Sequence, residues 1–242
     1  MLARWLAIAV TCFAGAARAD TVNLSYAGTG SGRNVHIWFG AQQRDVFAGR
    51  LLHSVTGGTG SLAGMPSTAV TFSVELLQVL APSPSGYTAS SVATLSGNTG
   101  VTNLGYAKQQ AIYDLYAAAA GYQFISGSDC AAAFQIALWE VAYDYDPTAP
   151  GHGLSNSGGT FRAAMPGEQT LSPSISGVVE YLLGHVGMNA AAPVELRGLQ
   201  SAGFQDQLFY FDTVVPLPAA AWMGLTGLGL AGLVCRRRRA AS

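Results

Sequence analysis

The run Ser128-Asp129-Cys130-Ala131-Ala132-Ala133-Phe134-Gln135-Ile136-Ala137-Leu138-Trp139-Glu140-Val141-Ala142-Tyr143 decides the fold class. Phe134, Leu138, Val141 and Tyr145 recur at helical spacing. Ser128 or Asp129 is placed to cap the first turn, so a helix is predicted to about Tyr143. Helical patterns flank it. Over residues 106–120, Ala107, Ala111, Ile112, Leu115, Tyr116 and Ala119 keep the same period, and Gly121 is placed to end the run. Later, Ser172 reads as an N-cap with Pro173 at the first helical position, and Ile175, Val178, Val179, Leu182 and Val186 form the inward face. Outside this block the pattern is strand-like. Residues 22–26, 35–39 and 70–77 carry β-branched and aromatic residues near glycine-rich turns, and Pro82-Ser83-Pro84-Ser85-Gly86 breaks the chain. After a turn near Gly203, residues 208–211 return to strand. Strands, then helices, then a strand predict an α+β domain: a β-rich sheet or sandwich with about three inserted helices.

Composition narrows the class further. Charged residues make up 10% of the 242-residue chain, against roughly 25% in ordinary globular domains. That balance fits exported surface proteins better than cytosolic enzymes. Six of the 12 basic residues (Arg4, Arg18, Arg236, Arg237, Arg238 and Arg239) lie in the terminal segments. The body keeps the other six against all 13 acids, a balance of about −7. It carries no basic stripe for phosphates, so no nucleic-acid partner is expected. Cys12 and Cys235 are also terminal, which leaves Cys130 without an internal partner; it reads as a small buried apolar residue at a helix start.

The two ends predict export. In residues 1–19, Arg4 supplies the positive region, residues 5–16 the apolar stretch, and Ala17-Arg18-Ala19 the small-x-small cleavage site before Asp20. Ala9-Val10-Thr11 before Cys12 is a poor lipidation motif. At the other end, Val215-Pro216-Leu217-Pro218 precedes an uncharged run over residues 219–235, closed by Arg236, Arg237, Arg238 and Arg239. As a helix that run would span roughly 26 Å, just short of a hydrocarbon core. Four arginines should stay cytoplasmic, which puts the body across the cytoplasmic membrane. The expected organisation is a signal peptide at 1–19, an exported domain at 20–213 and a sorting segment at 214–242.

Motif, span and basic cluster in that order resemble the PEP-CTERM sorting signals of Gram-negative bacteria, in the Val-Pro-Leu-Pro-Ala variant. Pro216-Leu217-Pro218 stands where the more usual form has Pro-Glu-Pro. The resemblance implies an exosortase-type membrane transpeptidase as partner, with delivery to the cell surface or the extracellular polysaccharide matrix.

Within the body, Phe134-Gln135-Ile136-Ala137-Leu138-Trp139 has a Gln-x-Ala-x-Trp spacing. It resembles the glutamine motif of bacterial Cys–Gln thioester domains, with Phe134 where that family usually has Thr. Val46-Phe47-Ala48-Gly49 looks like that family's early strand and turn, and Thr71-Phe72-Ser73-Val74-Glu75-Leu76 like its cysteine-bearing strand. Gln205-Asp206-Gln207 looks like the lead into its closing strand. The resemblance implies a Cys–Gln bond able to capture an amine, but Ser73 occupies the cysteine position. A neutral hydroxyl is a far poorer nucleophile than a thiolate. No thioester is expected. A Ser73–Gln135 ester stays open beside a structural role, in which Trp139 packs at a sheet–helix junction and Gln135 bonds to backbone.

Other constellations are weaker. Asp129, Asp144 and Asp146 could supply carboxylates to calcium, but residues 143–147 lack the Gly and Glu of an EF-hand loop and read as a helix-ending turn. His36, His53, His152 and His185 are scattered without zinc-ligand spacing, and His152 reads as part of a mobile loop between Gly151 and Gly153. No metal or cofactor is expected. The resulting expectation is a structural or adhesive surface protein rather than an enzyme. The alternatives are an exported polysaccharide hydrolase using Glu140, Asp144 or Asp146, or an uncut membrane-anchored binding module.

Overall fold

Strand β1 (Thr21–Phe39) is one long strand, where the sequence reading expects two strands and a glycine-rich turn. Gly28 and Gly32 stay paired with β2 (Gln42–Thr56), and Gly30 lies in the second of two register shifts, at Tyr26/Gly28 and Thr29/Gly32. A Cβ at Gly32 would collide with the Ala48 carbonyl and the Phe47 ring, and one at Gly49 with the Ser31 carbonyl. These two glycines let the strands approach closely and do not turn the chain. The same contact corrects the expected turn at Gly49, which lies inside β2.

Strand β3 (Thr68–Ser73) stops at Ser73, short of the expected residue 77. Strand β4 (Ser85–Ser90) begins inside the stretch read as a chain break. Strands β5 (Phe161–Ala164), β6 (Leu196–Gln200) and β7 (Gln207–Tyr210) complete the seven-stranded antiparallel sheet of the described residues. The pairings β1–β2, β2–β3, β3–β7, β7–β6, β6–β4 and β4–β1 close on themselves, and β5 adds to the far half of β1. Closure removes most of the exposed edges that invite unwanted pairing.

Three helices follow the expected order: α1 (Gly105–Ala120), α2 (Ser128–Asp144) and α3 (Pro173–Leu183). The fold is α+β, mostly β, as the pattern of elements predicts. Helix α2 is buried continuously from Ala131 to Tyr143, so it is a central helix rather than one with a single inward stripe. Its cap also differs from expectation. Gly127 is the N-cap and makes no side-chain cap bond, while Asp129 accepts from Arg33 Nε at 2.6 Å and from Ser174 Oγ at 2.7 Å. That carboxylate ties α2 to β1 and α3. Helix α3 has the expected Ser172 cap and Pro173, with Ile175, Val179 and Leu182 buried and Val178 half-buried.

Two buried groups result. On the helix side, the Phe72 and Phe134 rings meet edge to face at 4.7 Å, and Trp139, Phe161 and Tyr143 continue the cluster. Val22, Leu24, Tyr87, Leu199 and Phe209 are buried outside that cluster and fill the interior of the strand ring, together with Thr71 and Gln207.

This computed structural model describes residues 19–96, 103–120, 127–155, 157–192 and 196–210, all in one compact unit ending at Tyr210. Leader residues 1–18 lie outside the described residues, as does the sorting segment with Val215, Pro216, Leu217, Pro218, Arg236, Arg237, Arg238 and Arg239. Among the described residues no helix is long and apolar enough to cross a membrane; the expected span at 219–235 lies outside them.

Candidate functional site

The site forms where β3 ends. Val74 N donates to the Asp206 carbonyl at 3.1 Å, beside β7. Peptide groups alternate sides along a strand, so the N–H and C=O of Ser73 turn the other way, toward β2. Yet β2 pairs with β3 only over Leu51, Leu52, His53 and Ser54. At Ser73 the partner strand is gone, and a side chain from α2 takes its place. Gln135 Oε1 accepts from Ser73 N at 3.0 Å, and Gln135 Nε2 donates to the Ser73 carbonyl at 2.7 Å. A carboxamide carries the same donor and acceptor as a peptide group, so it can mimic a neighbouring strand. The structure therefore brings together the two residues that the motif singled out.

The Ser73 hydroxyl faces elsewhere. Its Oγ donates to the Glu75 carbonyl at 2.7 Å, which takes no proton from it and so does not activate it as a nucleophile. Trp139 follows Gln135 by one helical turn. It is 2% exposed, its ring lies 6.1 Å from that of Phe161, and its Nε1 has no hydrogen-bond partner among the described residues.

Beyond Ser73 the chain leaves the sheet but stays anchored. Leu76 N donates to the Tyr143 hydroxyl at 3.1 Å, Gln205 Nε2 to the Glu75 carbonyl at 2.5 Å, and Gln205 N to the Val79 carbonyl at 3.0 Å. The Glu75 side chain is buried and accepts from Asp206 N at 2.8 Å. Burial pushes its carboxyl up to about 7, with the nearby Asp206 charge adding to the rise. Asp206 is also raised, chiefly by burial, although it accepts from Ser96 N at 2.7 Å and Ser201 N at 2.9 Å. Gln207 Oε1 accepts from Thr71 Oγ1 at 2.8 Å and joins β3 to β7.

The sequence reading treats Glu75 as one residue of a strand and Asp206 as part of a lead-in, and so misses their contact. One signal was available. An acid inside the apolar run 70–77 must find a partner if that run is buried.

The other candidate groups lie apart from this site. Glu140 Oε1 accepts from Ser155 N at 2.8 Å, and burial pushes its carboxyl up to about 8. Asp144 Oδ2 accepts from Phe161 N at 2.9 Å. Asp146 Oδ1 accepts from Thr148 N at 2.8 Å and Thr148 Oγ1 at 2.7 Å, and those bonds hold its carboxyl below the usual range. Each carboxylate anchors local backbone. Among the described residues no group of three or more His, Cys, Asp or Glu could hold a metal ion. His53 is buried with both ring nitrogens unpartnered, and burial lowers it to about 4.

His152 departs from the loose loop expected of it. Its carbonyl accepts from Asp146 N at 2.9 Å and its ring packs 5.4 Å from Tyr145. Cys130 is free and only half-buried, not enclosed as expected, because it lies on the first turn of α2 before the buried stretch begins.

No protein-family model matches this chain, and no curated protein matches it. Among solved structures, it is similar to the N-terminal thioester domain of a surface protein from Clostridium perfringens, at 11% identity and a TM-score of 0.35, over 73% of this chain and 97% of that one. A likeness that distant carries no argument about the site.

Proposed function

We propose that the chain is an exported surface or extracellular-matrix protein with a structural or adhesive role, whose body binds a partner and does not turn over a substrate. The observation that carries the binding part is the Gln135 carboxamide, bonded at 2.7 and 3.0 Å to the backbone of Ser73. Residues in a reactive-looking motif are engaged there in capping the end of β3. Glu140, Asp144 and Asp146, the carboxylates a hydrolase would need, each accept from a backbone N–H, which favours binding over hydrolysis.

Export rests on the sequence at the two ends. An exosortase-type transpeptidase would read Val215, Pro216, Leu217 and Pro218, with residues 219–235 in the cytoplasmic membrane and Arg236, Arg237, Arg238 and Arg239 on its cytoplasmic side. The released body would then join the cell surface or its polysaccharide matrix.

Cell fractionation tests this. The body should occur in the medium or outer fractions without residues 219–242. Retention in the cytoplasm contradicts export, and an outer body that keeps its tail supports the uncut anchored module instead.

A further inference from the structure

Strand β2 is paired with β1 along its length, but β3 covers its other side only from Leu51 to Ser54. Over residues 44–47 no strand lies on that side among the described residues, and these residues are exposed or half-buried, whereas Ala48 and Gly49 are buried. Where β3 departs, a cavity of ≈ 300 Å³ opens between Arg44, Val46 and Phe47 on β2 and Gln78 and Val79 on the departing segment, with Trp139 also in its wall. Ligand pockets begin at roughly this size.

Three features of the cavity describe an occupant. Trp139 Nε1, which can only donate, is buried without a partner among the described residues. Gln78 Oε1, which can only accept, is likewise buried without a partner among the described residues. An unpaired buried group of this kind costs about 1–3 kcal/mol, which a bound partner would relieve. A peptide group offers the acceptor the indole lacks and the donor the amide oxygen lacks. The third feature is charge. Arg44 is the one charged side chain of the lining, and it forms no ion pair among the described residues; its guanidinium lies over the Phe39 ring at 5.5 Å. Val79, 69% exposed, gives the mouth an apolar lip.

We infer that this slot receives an extended peptide segment of a partner protein, bearing a carboxylate, which adds to β2 as a further strand. Main-chain bonds to the open side of β2 supply affinity, and the Arg44 guanidinium selects the acidic side chain. The inference deepens the binding role proposed above and rests on it, but its geometry is that of the body alone.

The test uses the protein as it is purified from its own cells. The probe is a pool of capped hexapeptides with β-branched residues at alternate positions, one fixed glutamate and the remaining positions randomised. The tightest member should lose about tenfold in affinity when alternate amides are N-methylated, which removes donors and keeps side chains. Glu→Gln in the peptide and Arg44→Gln in the chain should each weaken binding by a similar factor, and together no further. The Trp139 indole N–H resonance should shift on binding, and Trp139→Phe should weaken binding while leaving the fold intact by circular dichroism. A pool without a binder overturns the inference, as does unchanged affinity after N-methylation or in Arg44→Gln. Location in the cell has no bearing on this titration, so failure of export would leave the slot standing, and failure here would leave export standing.

Discussion

At the residue scale, Gln135 and Ser73 make opposite predictions for two simple truncations. Gln135→Ala leaves the buried N–H and C=O of Ser73 without partners, at about 1–3 kcal/mol for each unpaired group. Ser73→Ala keeps that bonding and loses only the hydroxyl bond to the Glu75 carbonyl, at about 1 kcal/mol. Denaturant unfolding of both variants should therefore show Gln135→Ala as clearly the more damaging. Equal losses would mean that the carboxamide does not hold the strand end.

Glu75 makes a pH prediction at the same scale. Its folded pKa is raised from 4.5 to about 7, so between those values the folded state binds more protons than the unfolded chain. Stability then falls as pH rises through that window, the reverse of a salt-bridged carboxylate. Glu140, raised to about 8, adds to the same trend. Glu75→Gln keeps an acceptor for Asp206 N and cannot ionise, so unfolding measured between pH 5 and pH 8 should show a flatter decline than the parent. An unchanged slope would remove Glu75 as its source. The apolar run around Glu75 signals that this acid needs a partner, but Asp206 as that partner was not legible, because the two are brought together only by the β3–β7 pairing across more than a hundred residues.

At the scale of elements, legibility followed the range of the forces. The three helices are local, and their period and Pro173 were enough to place them. Strand β5 has four residues and β6 has five, too few for an alternation to stand out; β5 depends on distant β1, and β6 on distant β4 as well as on nearby β7. The glycines of β1 were misread because a close strand crossing and a turn call for the same residue. That difference is testable. Gly49 sits at φ +149, and a Cβ there would meet Ser31 and Gly32 of the neighbouring strand. Gly49→Ala should destabilise the body by about 1–3 kcal/mol, whereas Gly64→Ala, with open space around its Cβ, should change stability little. Comparable thermal midpoints for the two variants would contradict the close crossing.

At the scale of the whole molecule, the sequence conveyed the α+β class and brought Gln135, Ser73 and Trp139 forward as a group. It did not reveal that the strands close into a ring, because closure depends on β1 pairing with both β2 and β4. The ring explains how a long strand can be left uncovered locally at β2. On its β3 side, β2 is left without a strand before Leu51 among the described residues, and β1 likewise lacks a second partner between its pairings with β4 and β5.

The most direct measurement is the intact mass, with both termini mapped, of the protein purified from its own cells. The account predicts a chain that begins at Asp20, has lost residues 219–242, and shows no further deficit, since Ser73 and Gln135 are hydrogen-bonded and not covalently joined. A mass short by one ammonia would contradict that non-covalent contact, and an intact leader on a cytoplasmic chain would contradict export.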